Sequence, residues 1–138
     1  MKKFLCAVLV AILIFSFTAC GNSVDKAGLW ENAIYLEDTV LGNGEKTFTA
    51  EVEAGEEVVV FTVNTDKKTV GEALTELKLV DGEEGPYGLY VKAVNGITAD
   101  YDIDKSYWAF YIGEEYATSG MDTTEITEGT TYRLVYTK

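Results

Sequence analysis

An α+β domain, mostly β-strand with one amphipathic helix packed on a sheet, is the fold this sequence predicts. Three features predict it. From Ala33 onward, apolar and polar residues mostly alternate with period two. One short stretch, Val70 to Leu77, switches to helical spacing, and after it the alternation returns until the chain ends. Strands, then one helix, then strands again is the order of a domain whose helix lies across one sheet face.

The elements follow in chain order. Ile34 and Leu36 alternate with Tyr35 and Glu37, and Gly42-Asn43-Gly44 supplies a turn. Phe48, Ala50 and Val52 alternate with Thr47, Thr49, Glu51 and Glu53, and Ala54-Gly55-Glu56 turns the chain again. Val58-Val59-Val60-Phe61-Thr62-Val63 is the strongest strand signal, and so unbroken a run predicts a central strand covered on both faces. Val70, Ala73, Leu74 and Leu77 fall at i, i+3, i+4 and i+7, one stripe of a helix with Leu74 and Leu77 at its centre. Thr69 and Glu72 have capping-box spacing, and Asp81-Gly82 is the expected stop. Beyond a turn at Gly85-Pro86, strands are predicted at Leu89–Val94, Tyr107–Ile112 and Tyr132–Tyr136. A β-grasp-like arrangement fits this order.

The first residues stand apart from that domain. Lys2 and Lys3 precede an almost unbroken apolar run from Phe4 to Phe17, and Thr18-Ala19-Cys20 follows. A basic start, an apolar run of this length and small residues before a cysteine predict a lipoprotein signal peptide over residues 1–19. Cys20 would then carry a diacylglycerol and hold the protein at the outer side of the bacterial cell membrane. Residues 20–32 read as a tether and 33–138 as the domain. Trp30 is the one residue of the tether suited to packing.

Charge and composition exclude several functions. The chain has 11 basic and 23 acidic residues. Loss of residues 1–19 removes Lys2 and Lys3 but no acid, so the net charge falls from −12 to about −14. Nucleic acid is not an expected partner, since phosphate binding needs clustered Lys and Arg. Cys6 leaves with the signal and Cys20 is consumed by lipid, so neither a disulfide nor a thiolate site remains. Histidine is absent, which removes the Ser-His-Asp triad and every His-containing metal site. The domain reads as non-catalytic, with no required cofactor.

Two constellations stand out as candidate sites. Asp100, Asp102 and Asp104 occupy alternate positions, as in the start of an EF-hand loop. The sixth position of such a loop, normally Gly, is Lys105, and the twelfth, normally Glu, is Tyr111. An irregular divalent-cation site drawing also on Asp81, Glu83 and Glu84 is one reading; a solvated connection between strands is the other. The second constellation is aromatic: Tyr87, Tyr90, Tyr101, Tyr107, Trp108, Phe110, Tyr111 and Tyr116. On a strand, Trp108, Phe110 and Ile112 would face the core, and Tyr107 and Tyr111 the other side. Tyrosines exposed together offer a surface both apolar and wettable.

At these residues the sequence resembles a known family. Gly85-Pro86-Tyr87-Gly88-Leu89-Tyr90-Val91-Lys92-Ala93-Val94-Asn95-Gly96-Ile97, then Tyr107-Trp108, then Gly120-Met121-Asp122, then Gly129 before a last strand, is similar to the transcobalamin-type carboxy-terminal domain. The resemblance spans about Thr69 to Tyr136, and the bacterial members are typically short lipoproteins. In transcobalamin and intrinsic factor this domain is the smaller half of a cobalamin clamp whose larger half, a helical barrel, has no counterpart here. The resemblance implies a ligand-binding module with Tyr87, Tyr90, Tyr107 and Trp108 at its motif positions, and Tyr111, on the tyrosine face of the same strand, joins them as a candidate contact. Its implied role is capture of a corrinoid for a membrane transporter. A metal-binding lipoprotein using Asp100–Asp104, and an adhesion module contacting another surface protein, are the alternatives.

Overall fold

The computed structural model describes residues 28–138. The expected signal peptide, Cys20 and the tether up to residue 27 lie outside them. Nine strands, two helices and two 3₁₀ turns build the described part. Strands β1 (Thr39–Leu41), β2 (Lys46–Ala54) and β3 (Glu57–Thr65) come first, and helix α1 (Val70–Glu76) follows. Next are β4 (Val80–Gly85), β5 (Gly88–Val94), β6 (Ile97–Thr98) and the single-turn helix α2 (Tyr101–Asp104). Strands β7 (Tyr107–Ile112), β8 (Glu115–Tyr116) and β9 (Thr131–Thr137) close the chain.

Six strands form one sheet in the order β1-β3-β2-β9-β7-β8, and β4-β5-β6 form a second. The hairpin β2–β3 is antiparallel, β7 and β9 are antiparallel, and β2 runs parallel to β9 at the centre. Two antiparallel pairs joined through their first and last strands, with a helix between them in sequence, is the β-grasp arrangement anticipated above. The edges are blunted by length: β1 has three residues and β8 two, too short to template another chain.

Period two explains which face is buried. Phe48, Ala50 and Val52 of β2 meet Val63, Phe61 and Val59 of β3, and Ala50 and Val52 meet Tyr132 and Leu134 of β9. Leu134 is opposite Phe110 of β7, so one face carries a continuous apolar layer. Val70, Ala73 and Leu74 of α1, with Leu79, Val80 and Val94, join the same core. The opposite face is polar. Arg133 sits there between Glu53 (2.8 Å) and Glu51 (3.6 Å), its charge favoured above all by the hydrogen bond to Glu53.

Several local expectations are corrected. Ile34–Leu36 forms no strand; Ile34 is 56% exposed and pairing begins only at Thr39. The β3 run is covered on one face, since Val58 and Val60 turn away from the core while Val59, Phe61 and Val63 enter it. Helix α1 ends at Glu76, and Lys78 takes a positive φ just beyond it. Asp81-Gly82 therefore does not stop the helix; it marks a bulge inside β4, a strand that its Asp/Gly/Glu composition concealed. Half of the capping box forms: Thr69 accepts from the Glu72 amide, whereas the Glu72 carboxylate accepts from Lys68. Leu74 is fully buried, but Leu77, at the helix end, is only half-buried. The helix count also rises by one, because α2 forms where a plain connection was expected.

The packed domain begins before residue 33. Trp30 is 3% exposed, and its indole N–H donates to the Ala54 carbonyl at 2.9 Å. A buried indole needs such a partner, so residues 28–32 belong to the domain rather than to the expected tether.

Candidate functional site

The turn between β4 and β5 is two residues long, Pro86-Tyr87, closed by the Gly85–Gly88 pair. Pro86 presets one corner, and Gly88 holds a φ of 102°, which a side chain would resist. This tight turn leaves Tyr87 99% exposed. Along β5, Tyr90 is also exposed.

Strand β7 brings the second wall. Trp108 is 8% exposed; its indole N–H donates to the Ile97 carbonyl at 3.0 Å, and its ring meets Tyr136 edge-on at 5.7 Å. Phe110 stacks on Tyr132 with ring centroids 6.1 Å apart. Both rings are anchored from the core side, and their outer edges reach a groove of about 410 Å³. Tyr87 lines that groove from the β4–β5 turn and Tyr90 from β5, Tyr107, Trp108 and Tyr116 from the large sheet, and the segment 117–121 forms its floor.

The groove carries no Asp, Glu, Lys or Arg among its lining side chains. In a chain of net charge −12 that is a selective exclusion. Among the described residues, the hydroxyls of Tyr87, Tyr90, Tyr107 and Tyr116 have no hydrogen-bond partner. They are donors and acceptors left to solvent or to a ligand. Flat apolar walls with hydroxyl rims suit a ring compound with polar edges.

Four of the five aromatic candidates thus converge: Tyr87, Tyr90, Tyr107 and Trp108. Tyr111 does not. Its parity on β7 places it opposite Arg133, on the polar face, where the guanidinium lies 5.2 Å from its ring. Tyr116 is the lining residue that sequence reasoning left out of the site. It sits on β8, a two-residue strand with too little pattern to show its direction. Of the floor residues, only Gly120 and Met121 were visible in sequence, as part of the Gly120-Met121-Asp122 motif.

The aspartate constellation has another geometry. Asp100 caps α2, its Oδ1 accepting from the amides of Asp102 (3.0 Å) and Ile103 (3.3 Å). Asp104 accepts from both the amide and the hydroxyl of Ser106, and Lys138 stands 3.5 Å away. The Ser106 hydroxyl, then its amide, hold the Asp104 carboxyl below the usual aspartate range. Asp102 is exposed. Among the described residues, no three Asp or Glu side chains are grouped to hold a metal. None of the described helices is long and apolar enough to cross a membrane.

Comparison with known proteins gives three results. A family described as "Domain of unknown function (DUF4430)" matches residues 67–138. A crystal structure of a proposed metal-binding protein from Ruminococcus gnavus ATCC 29149 aligns with TM-score 0.65 and 36% identity, over 68% of this chain and 98% of that one. Haptocorrin in complex with Cbi aligns with TM-score 0.49 and 18% identity, over 71% of this chain and 27% of that one. No curated protein matches. With just over half its residues inside the matched segment, from the end of β3 through α1 to β9, the chain belongs to the DUF4430 family, a domain of unknown function.

Proposed function

We propose that this domain captures a ligand in the aromatic groove and performs no reaction on it. The observation that carries the reading is an uncharged, tyrosine-lined groove in a strongly acidic chain. Exposed Tyr rings gathered at one place keep apolar area in water until something covers them. The lining side chains include no carboxylate, Lys or His to act as acid or base, which supports binding without chemistry. The proposed ligand is a corrinoid or similar large polar ring compound. The proposed setting is a lipid anchor on Cys20 outside the cell, from which the ligand passes to a membrane transporter.

The test is a titration with corrinoids, followed by intrinsic fluorescence, in wild type and in Tyr90→Ala and Tyr107→Ala. Saturable quenching that weakens in both variants, with the fold unchanged, is the expected result. No quenching by any corrinoid sinks the corrinoid assignment. The anchor is tested separately by Cys20→Ser, which should release the protein or leave a precursor. Unchanged fractionation and migration would remove the lipoprotein reading.

A second reading is metal binding, favoured by the R. gnavus relative. In this chain Asp100, Asp102 and Asp104, with Asp81, Glu83 and Glu84, are the acids proposed for it. A ligand that binds only the folded state raises stability by RT ln(1 + [L]/Kd). Thermal unfolding in chelator and in millimolar calcium decides. A calcium shift lost in the triple Asp→Asn variant would favour the metal.

A further inference from the structure

Behind the uncharged floor lies one carboxylate. Asp122 belongs to the 3₁₀ turn Met121–Thr123, directly after the floor residues Gly120 and Met121. Its Oδ2 accepts from the Leu89 amide at 3.2 Å, tying the floor to the start of β5. Its Oδ1 is buried and has no hydrogen-bond partner. A buried acceptor left unpaired is costly, and such orphans call for a reason.

Glycine is what surrounds that oxygen. A Cβ at Gly120 would lie 2.7 Å from Oδ1, and one at Gly88 would lie 2.7 Å from Oδ2 and 2.9 Å from Oδ1. Any side chain at either position would collide with the carboxylate or displace it. Gly120 also lines the groove, so the unpaired carboxylate oxygen lies close behind the groove floor. The acidic chain as a whole attracts cations and repels anions.

We propose that the groove selects a positively charged, N–H-bearing ligand, with Asp122 as its counter-charge and specificity-determining residue. The inference rests on the groove being a ligand site, and it names the chemistry that site takes. Tyrosine and tryptophan rings supply the walls. Asp122 separates a cation from a neutral compound of the same size.

The experiment uses the full chain and three probes of one shape: benzylammonium, benzyl alcohol and benzoate. Binding is followed by amide and indole shifts in the NMR spectrum. Benzylammonium should bind roughly tenfold more tightly than benzyl alcohol, the scale of one hydrogen bond to a charged group, and benzoate should not bind. In Asp122→Asn the advantage of the cation should disappear while benzyl alcohol binds as before. The wild type carries its own reporter, the amide of Leu89, which lines the groove and bonds Asp122, and which should shift further with saturating benzylammonium than with saturating benzyl alcohol. That readout stands even if Asp122→Asn does not fold. Equal binding of cation and alcohol, or a cation advantage that survives Asp122→Asn, overturns the proposal. So does a Leu89 amide that shifts no further with benzylammonium than with benzyl alcohol. Failure of all three probes to perturb Trp108 would sink the groove as a small-ligand site, a different outcome from loss of charge selectivity alone.

Discussion

Two regions between Tyr87 and Tyr116 invite a functional reading, and they differ in how their polar groups are spent. In the Asp100–Asp104 turn, two of three carboxylates are engaged at home. Asp100 caps α2, and Asp104 holds Ser106 and meets Lys138. In the groove, four tyrosine hydroxyls have no partner among the described residues, and a buried Asp122 oxygen is orphaned at the floor. A charged cluster at the surface can therefore be mostly fold, and an uncharged one mostly opportunity. Bonding capacity left over, rather than charge, separates the two.

The largest effect should come where groove and core meet. Trp108 presents an edge to the groove but is held by Ile97 and Tyr136. Trp108→Ala should cost about 3–5 kcal/mol, as for other buried aromatic truncations, read as a lower midpoint in denaturant with unchanged slope. Leu74→Ala should follow at about 2–5 kcal/mol, and half-buried Leu77→Ala should cost clearly less. A Trp108 variant of wild-type stability would mean that its ring belongs to the groove alone, and the comparison would break.

Next comes the cap. Asp100→Ala removes the acceptor for two amides at the start of α2 and should cost about 1 kcal/mol. Asp102→Asn should cost nothing measurable, because that carboxylate is exposed and bonds no neighbour. If both changes were silent without metal and both lost a calcium-dependent stabilisation, the turn would be a site after all.

How legible these regions were in sequence follows from the same distinction. The strands β2, β3, β5, β7 and β9 announce themselves because one face of each is buried, and burial writes period two into the residues. Leu74 was found for the same reason in helical period. Strand β4 hid, because Val80-Asp81-Gly82-Glu83-Glu84-Gly85 is an exposed edge with a bulge and has little to bury. Ile34 and Leu36 misled in the opposite direction, since their alternation forms no strand. At the groove, Tyr87, Tyr90, Tyr107 and Trp108 were legible as motif positions, whereas Tyr111, named with them, lies outside its lining. Strand parity correctly sets Tyr107 and Tyr111 apart from Trp108. Parity alone does not decide the lining, however: Tyr107 lines the groove, and Tyr111 lies against Arg133 and Tyr116 instead. Asp122 could not be singled out, since its isolation depends on Gly88 and Gly120, one of them more than thirty residues away.

A pH scan sharpens the contrast further. The Ser106 hydroxyl and amide lower the Asp104 pKa from its ordinary 3.8, with Lys138 assisting. Folding therefore favours the ionised form, and this contribution is fully present above the unfolded value. It is lost as pH falls through the depressed folded value, because the protonated carboxyl no longer draws the same bonds. Acid unfolding of wild type should be steeper below pH 3.8 than that of Asp104→Asn, with the two parallel near neutrality. Only the Lys138 part of the difference should shrink in high salt, because the Ser106 hydrogen bonds involve no second charge. Parallel curves throughout would mean that the turn does not spend its charge on the fold.

The smallest effect on stability should belong to Tyr87, and it tests the groove most cleanly. The ring is 99% exposed at the tip of the β4–β5 turn, so removing it uncovers no core and breaks no hydrogen bond. The turn itself rests on Pro86 and on the positive φ of Gly88, both untouched by the change. Tyr87→Ala should leave stability within about 0.5 kcal/mol of wild type, as surface substitutions away from special features do. If the groove is a ligand platform, the same change removes one wall, and a bound ring compound loses a stacking face. Affinity should then fall severalfold while unfolding is unaltered, a separation that Trp108 cannot provide because fold and surface are joined there. A Tyr87→Ala variant that binds as tightly as wild type would confine the platform to β7 and the floor. One that loses stability instead would place the ring in a contact with the chain outside residues 28–138.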